Sequence, residues 1–192
     1  MSSNPPPVIV WGNCQAEPLA RLLEGPVAAA GWEIVHIPPV FLIDEHDLAR
    51  VRNEILPRAA ALISQPVRDE YRLPGCGTAQ LAERLPTSAA LVTIPNTYDT
   101  SGFPFMVNAH EGDGTRIDAP LTDYHDLRLI VAAERGLSVD EALAWWPAPT
   151  PGMVTANATD SKSELQRREH DLDVHVSDLL DGPAMFTLSH PT

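Results

Sequence analysis

The sequence predicts an α/β fold: a mostly parallel sheet flanked by helices, with a largely helical second half. Two observations carry this. Short β-rich runs alternate with helical periods through residues 1–96, and each run is closed by Gly or Pro within two residues. After residue 96 the apolar spacing becomes mainly helical.

The elements follow in order. Val8–Trp11 is the first strand, ended by Gly12. Glu17–Leu23 has helical spacing, with Leu19, Leu22 and Leu23 on one face and Pro18 tolerated in the first turn. Trp32–Ile37 reads as the second strand, closed by Pro38 and Pro39, and His46–Leu56 as a charged amphipathic helix. Ala60–Ser64 is the third strand, followed by Gln65 and Pro66. Thr78–Leu85 is a helix with Thr78 as its expected N-cap, and Ala89–Ile94 is the fourth strand, closed by Pro95 and Asn96.

Thr97–Pro120 reads as a long loop, rich in Gly, Asp and Thr and long enough to act as a lid. Helices are expected over Tyr124–Arg135, Val139–Trp146 and Ser163–Leu180, the last with Leu165, Leu172, Val176 and Leu179 on one face. Pro147–Gly152 forms a linker, and Ala184–Ser189 a final strand leading to His190 and Pro191. One α/β domain is expected over 1–192: a core at 1–96 carrying the cysteine motif, a loop and helical insertion at 97–160, and a helix and strand at 161–192. Trp145-Trp146 reads as a core anchor, and the His-Asp-Leu triplets at 46, 125 and 170 share no period.

Composition narrows the function. The 192 residues carry 13 basic and 26 acidic side chains, a formal charge of −13 that repels phosphate backbones and argues against nucleic acid as partner. No apolar run reaches the roughly 18 residues that cross a bilayer, and the N-terminus lacks the pattern of a signal peptide, so a cytoplasmic protein is expected. Two cysteines, Cys14 and Cys76, do not make a disulfide framework and should be free thiols in a reducing cytosol. No GxGxxG, Walker A or HExxH pattern is present, and no metal is expected. A small-molecule substrate is the expected partner; homo-oligomerisation stays open.

In a parallel sheet, ligands collect at the carboxyl ends of strands, which points to Asn13, Cys14 and Gln15, then Gln65, then Asn96. Cys14 follows a strand and opens a helix. Unpaired N–H groups and the positive helix end should lower its pKa and favour the nucleophilic thiolate. Those N–H groups, with Asn13 and Gln15, form a candidate oxyanion hole. A buried structural cysteine is the alternative. His190, after the last expected strand, is a candidate base; a terminal histidine without a role is its alternative. Arg68, Tyr71 and Arg72 offer two guanidinium groups and a ring, enough to hold phosphates and stack a base, or else form a solvated loop.

Gly12-Asn13-Cys14-Gln15 behind one strand, Gln65-Pro66-Val67-Arg68-Asp69-Glu70-Tyr71-Arg72 behind another and Ser189-His190-Pro191 together resemble the WcbI-type family of capsular polysaccharide biosynthesis proteins, over about Val8 to His190. The resemblance implies an acyltransferase that uses coenzyme A or an acyl-CoA and a sugar or other hydroxyl acceptor. It assigns Cys14 as reactive thiol, His190 as base, and Gln15 or Gln65 as polar supports. On this reading Asn13, Gln15 and the turn amides hold the oxyanion. Arg68, Tyr71 and Arg72 hold the nucleotide end, with Gly12, Gln65 and Asn96 completing the ligand site. The layout is also similar to SGNH-type hydrolases, with Cys14, Asn96 and His190 in the corresponding places, although Thr187 stands where an acid partner for the histidine is expected. The family resemblance further implies a segment beyond the His-Pro motif. Two alternatives to acyl transfer are a thiol-type ester or thioester hydrolase and a non-catalytic module binding coenzyme A or a nucleotide.

Overall fold

The computed structural model describes residues 4–115, 117 and 124–180. It comprises two compact units. The first is built from the chain up to Tyr98 together with the segment from Glu164 onward, and the second from Asp99–Ser163.

The first unit holds a four-stranded parallel sheet: β1 (Pro7–Trp11), β2 (Glu33–Val35), β3 (Ala61–Ser64) and β4 (Ala90–Thr93), in the order β2-β1-β3-β4. All four expected strands are present and parallel. β1 is buried along its whole length, as a central strand covered on both faces must be. Its side chains alternate between two layers. Ile9 and Trp11, with Leu62 of β3, pack against Leu48, Val51, Ile55 and Leu81. Val8 and Val10, with Ala61 and Ile63, pack instead against α1 (Ala16–Ala29) through Ala16, Ala20, Val27 and Leu23. This is a doubly wound sheet, and its order reverses between β1 and β3.

Several elements differ from expectation. α1 continues past Gly25 and Pro26, where the sequence alone suggests a stop, because Val27 buries against Val8 and Ala61. It ends where Gly31 takes the left-handed conformation, φ 80°, that a side chain would resist. The single helix expected over His46–Leu56 is three pieces: α2 (Glu45–Arg50), a π turn over Val51–Ile55 and a 3₁₀ turn over Leu56–Arg58. Asp44 caps α2, accepting the Asp47 N–H at 2.7 Å. α3 (Thr78–Ala82) has Gly77, not Thr78, at its N-cap. The Thr78 hydroxyl is committed elsewhere: it accepts the Val67 N–H at 2.9 Å and lies 2.8 Å from the Ser64 hydroxyl, fastening the loop after β3.

In the second unit the expected loop contains β5 (Met106–Val107), paired antiparallel with β6 (His125–Asp126). The helix expected to begin at Tyr124 therefore starts later, as α4 (Leu127–Glu134), with Asp126 as its cap. α5 spans Val139–Trp145 and opens with a Ser138–Glu141 capping box. Trp145 and Trp146 are half-buried, each with a guanidinium over its ring, Arg135 at 4.8 Å and Arg128 at 4.3 Å.

The largest departure is the last helix. Ser163–Leu180 reads as continuous, but α6 runs over Pro151–Glu169, from the second unit into the first, and a 3₁₀ turn covers Ser177–Leu180. Leu165 is the one residue of the expected apolar face within α6, and it is fully buried. The chain reverses because the buried Glu169 carboxylate accepts the N–H groups of Val176 at 2.8 Å and Ser177 at 3.2 Å, and the Ser177 hydroxyl. Asp173 in the reversal accepts both the N–H and the hydroxyl of Thr93 at 2.7 Å, closing the outer edge of β4. The expected strand Ala184–Ser189 and His190 lie outside the described residues. Among the described residues no helix is long and apolar enough to cross a membrane.

Candidate active site

The carboxyl ends of β1 and β3 meet at the point of order reversal, where open α/β sheets bind ligands. The register places Trp11 opposite Ser64, so Gly12-Asn13-Cys14-Gln15 leaves the sheet beside Gln65. The Gln65 N–H donates to the Trp11 carbonyl at 2.9 Å, extending the ladder by one step.

The amide side chains then form one network. Gln65 is 5% exposed; its Oε1 accepts the Asn13 N–H at 2.8 Å and its Nε2 donates to Gln15 Oε1 at 2.9 Å. Gln15 Oε1 also accepts the Thr97 N–H at 3.0 Å, while Gln15 Nε2 donates to the Thr97 carbonyl at 2.9 Å. Asn13 Oδ1 accepts the Gln15 N–H at 2.9 Å, an Asx turn that launches α1. Three side chains thus bind the ends of β1, β3 and β4 together without a charge. Gly12 is required: a Cβ there would sit 2.3 Å from Gln65 Oε1.

Cys14 stands on this turn, half-buried, one residue before the N-cap Gln15. The expected lowering of its pKa does not occur. Burial pushes the thiol up, and the N–H groups of Cys14 itself and of Gln15, which pull the other way, do not compensate. The helix end does favour an anion here, but desolvation outweighs it, and the resting group is a neutral thiol.

Cys14 opens onto a groove of about 630 Å³, lined also by Glu17, Pro18, Arg21, Pro39, Phe41 and Leu42. The segment after β2 forms its far wall. The Val40 N–H donates to the Gly12 carbonyl at 2.8 Å, and Val40 and Ile43 are buried, so Phe41 and Leu42 turn outward at 37% and 66% exposure. Arg21 pairs with Glu17 at the rim at 2.5 Å. Arg21, Phe41 and Leu42 were not singled out from sequence. Their signal is the apolar Phe41-Leu42 pair just behind Pro38-Pro39, past a strand end, where buried positions are not expected.

Arg68, Tyr71 and Arg72 lie on the exposed loop between Gln65 and α3, with the Arg68 guanidinium 5.7 Å from the centre of the Tyr71 ring. Glu70 in this loop has φ 58°, unusual for a residue with a side chain, and is held there by Gln80, whose Nε2 donates to Glu70 Oε1 at 2.5 Å. Asn96, half-buried after β4, accepts the Tyr98 N–H on its carbonyl at 2.9 Å. The structure therefore brings Gly12, Asn13, Cys14, Gln15 and Gln65 together, with Thr97, the residue after Asn96. Asp44, His46 and Asp47 at the exposed start of α2 have ligand atoms within 4.8 Å of one another, and the Asp44 carboxylate there is the helix cap.

No curated protein matches the chain. A solved structure of WcbI, described as a novel polysaccharide biosynthesis enzyme, in a native form without a disulfide bond between coenzyme A and a cysteine of that protein, is similar at TM-score 0.76 and 21% identity. The match covers 93% of this chain and 59% of the other, and at that identity it shows the fold alone. The family model for the polysaccharide biosynthesis enzyme WcbI matches residues 7–192, and the chain belongs to that family.

Proposed function

We propose that the protein transfers an acyl group from an acyl-CoA to a hydroxyl of a saccharide, with the thioester held beside Cys14. The observation that carries this is the placement of the thiol. It stands on an uncharged turn at the carboxyl end of β1 and faces a groove between the start of α1 and the segment after β2, with an apolar wall and the Arg21–Glu17 pair at its rim. That groove suits a pantetheine arm and a short acyl chain against Pro18, Pro39, Phe41 and Leu42. The family's role in polysaccharide biosynthesis supplies the acceptor class. The similar structure is described as a native form without a disulfide bond between coenzyme A and a cysteine, a description that pairs coenzyme A with a cysteine in that protein and supports looking for the coenzyme A thiol near Cys14 here.

Burial raises the Cys14 pKa, so the resting group is the less nucleophilic thiol, and transfer is proposed here as direct. The acceptor hydroxyl oxygen attacks the thioester carbonyl carbon, forming the C–O bond as the C–S bond breaks. Its proton passes to a base and on to the departing CoA sulfur. His190 is the proposed base, and the Cys14 N–H would receive the carbonyl oxygen, while the Gln15 N–H is held by Asn13 Oδ1 in the turn. The Gln15 side chain is taken up by Thr97 and serves to position the turn, as does Gln65. Arg68, Tyr71 and Arg72 would hold the nucleotide end, with Gly12 and Asn96 bordering the ligand.

The test pairs Cys14→Ala with acid-quenched mass spectrometry during turnover. Direct transfer predicts no acyl adduct on the wild type, retained turnover in Cys14→Ala with a raised KM for acyl-CoA, and product only when an alcohol acceptor is present. An adduct on Cys14, with turnover lost in the variant, refutes direct transfer. Thioester cleavage indifferent to every acceptor makes the protein a hydrolase, and CoA binding without any turnover makes it a binding module.

A further inference from the structure

The second unit contains a separate cavity of about 280 Å³, lined by Gly102–Met106, Tyr124, His125, Asp126, Arg128 and Pro149. It combines ring faces with a polar edge of defined donors and acceptors. Phe103, Phe105 and Tyr124 supply the rings, and Phe103 is 41% exposed. β5 and β6 set the polar edge: Met106 pairs with Asp126, and the Leu127 N–H donates to the Phe105 carbonyl at 2.9 Å, fixing Asp126 beside the rings.

Arg128 and Asp126 form a two-pronged pair, Nε to Oδ1 at 2.9 Å and Nη2 to Oδ2 at 2.5 Å, and the guanidinium lies between the Phe105 and Trp146 rings, 4.4 and 4.3 Å from their centres. The Arg128 hydrogen bond holds the Asp126 carboxyl below its usual range, so the pair is ionised and sums to zero charge. His125 Nε2 is 2.9 Å from the Ile117 carbonyl, which can only accept. Nε2 therefore carries the proton, and in the neutral ring Nδ1 is the acceptor.

We infer that this cavity binds a single uncharged sugar ring, making the second unit a saccharide-binding module. The ring faces of Phe103 and Tyr124 take the C–H face of a pyranose. The polar edge offers as acceptors His125 Nδ1 and the lone pairs that Asp126 Oδ2 keeps beyond its Arg128 bond. Its donors are the Arg128 N–H groups not taken by Asp126 or by the Pro147 carbonyl, which Nη1 reaches at 3.2 Å. Vicinal sugar hydroxyls are both donors and acceptors. A phosphorylated nucleotide fits less well. Arg128 is already neutralised by Asp126, and the volume sits at or below the small end of ligand cavities. The choice of a sugar over other small polyols rests on the polysaccharide reading above.

Saturation-transfer NMR on the full chain, with methyl glucoside, galactoside, mannoside and their N-acetylated amino-sugar counterparts, tests the inference, with AMP in a parallel arm. At least one glycoside should receive saturation, with Phe103→Ala weakening binding roughly five- to tenfold and Phe103→Trp retaining it. Phe103 is exposed enough that its truncation leaves the fold standing, which a thermal melt checks. No binding by any glycoside, binding unchanged in Phe103→Ala, or AMP bound at these residues overturns the site. The same sample reports CoA protection of Cys14 from alkylation. Protection without glycoside binding refutes the cavity and leaves the acyl-transfer reading; glycoside binding without protection does the reverse.

Discussion

Replacing Gln65 tests whether the amide network is what holds the cysteine turn. In Gln65→Met the side chain keeps its length and loses both hydrogen-bonding groups. The Asn13 N–H, which donates to Gln65 Oε1 at 2.8 Å, is left facing an apolar group, costing about 1–3 kcal/mol. Gln15 Oε1 loses one of two donors but keeps the Thr97 N–H, a further ~0.5–1.5 kcal/mol. Better burial of the Met thioether offsets part of this, so a net loss of about 2–3 kcal/mol is expected. Urea denaturation followed by far-UV circular dichroism measures it. A stability within about 0.5 kcal/mol of wild type, the scatter of an ordinary surface substitution, refutes the reasoning.

Gln65→Glu sharpens the test because the orientation of Gln15 is fixed from outside. Thr97 offers it both an N–H and a carbonyl, so the Gln15 amide cannot turn over without losing two hydrogen bonds. A carboxylate at 65 still accepts from Asn13, but its second oxygen then faces Gln15 Oε1 at the 2.9 Å now occupied by a donor. Only the protonated acid restores the bond, so the folded-state pKa of this introduced group is raised. Stability relative to wild type is then retained below the unfolded value of about 4.3 and lost as pH rises toward the folded value. A pH-independent difference between Gln65→Glu and wild type shows that this geometry does not hold in solution.

Three further outcomes follow from the same structure. Gly12→Ala drives a Cβ into Gln65 Oε1 and should cost about 1–3 kcal/mol; in a Gln65→Ser background the cost should fall by at least ~0.5 kcal/mol, and strict additivity in this double-mutant cycle counts against the contact. Cys14, with its pKa raised by burial, should be alkylated by iodoacetamide more slowly than a free thiol at pH 7, its rate climbing with a midpoint above that of the free thiol; a midpoint below that of the free thiol contradicts the neutral assignment. At Glu169 burial works to raise the pKa, but hydrogen bonds from Ser177 and Val176 and the charge of His175 together leave it lowered. Its stabilisation is present above the unfolded value near 4.3 and lost as pH falls through the folded value, so Glu169→Gln should flatten the acid limb of the stability profile, and an unchanged limb rejects this role.

The sheet was legible because its strands announce themselves. Val8–Trp11 and Ala60–Ser64 are apolar runs cut by Gly12 and Pro66, and the observed strands begin and end within a residue of them. α6 was not legible. Apart from the exposed Met153 and Val154, its residues 151–162 are mostly small or polar, carry no apolar stripe and lie mostly exposed, so periodicity has nothing to register. Its early stop depends on Glu169 reaching residues seven and eight further on, a tertiary fact. The polar residues of the site were visible as residues behind strand ends. Their mutual bonding was not, because it requires the β1–β3 register that sets Trp11 against Ser64. The sign of the Cys14 shift was missed for a related reason: helix position can be read from spacing, whereas desolvation depends on what the fold packs around the sulfur.

The choice of amides over charged side chains bears on the chemistry. Asn13, Gln15 and Gln65 each donate and accept, and none of them titrates, so the framework of the turn keeps its geometry across the physiological range. A lysine or arginine at position 65 would pull the Cys14 thiol toward the thiolate, and an aspartate or glutamate would push it further up. The amide triad leaves burial as the dominant influence, and burial keeps the sulfur protonated. A protonated thiol beside a thioester does not compete with the incoming hydroxyl for the carbonyl carbon. The same protonation slows exchange with a disulfide, which proceeds through the thiolate. The network thus holds the turn in place while adding no charge that would lower the Cys14 pKa, which is what the proposed direct transfer asks of it.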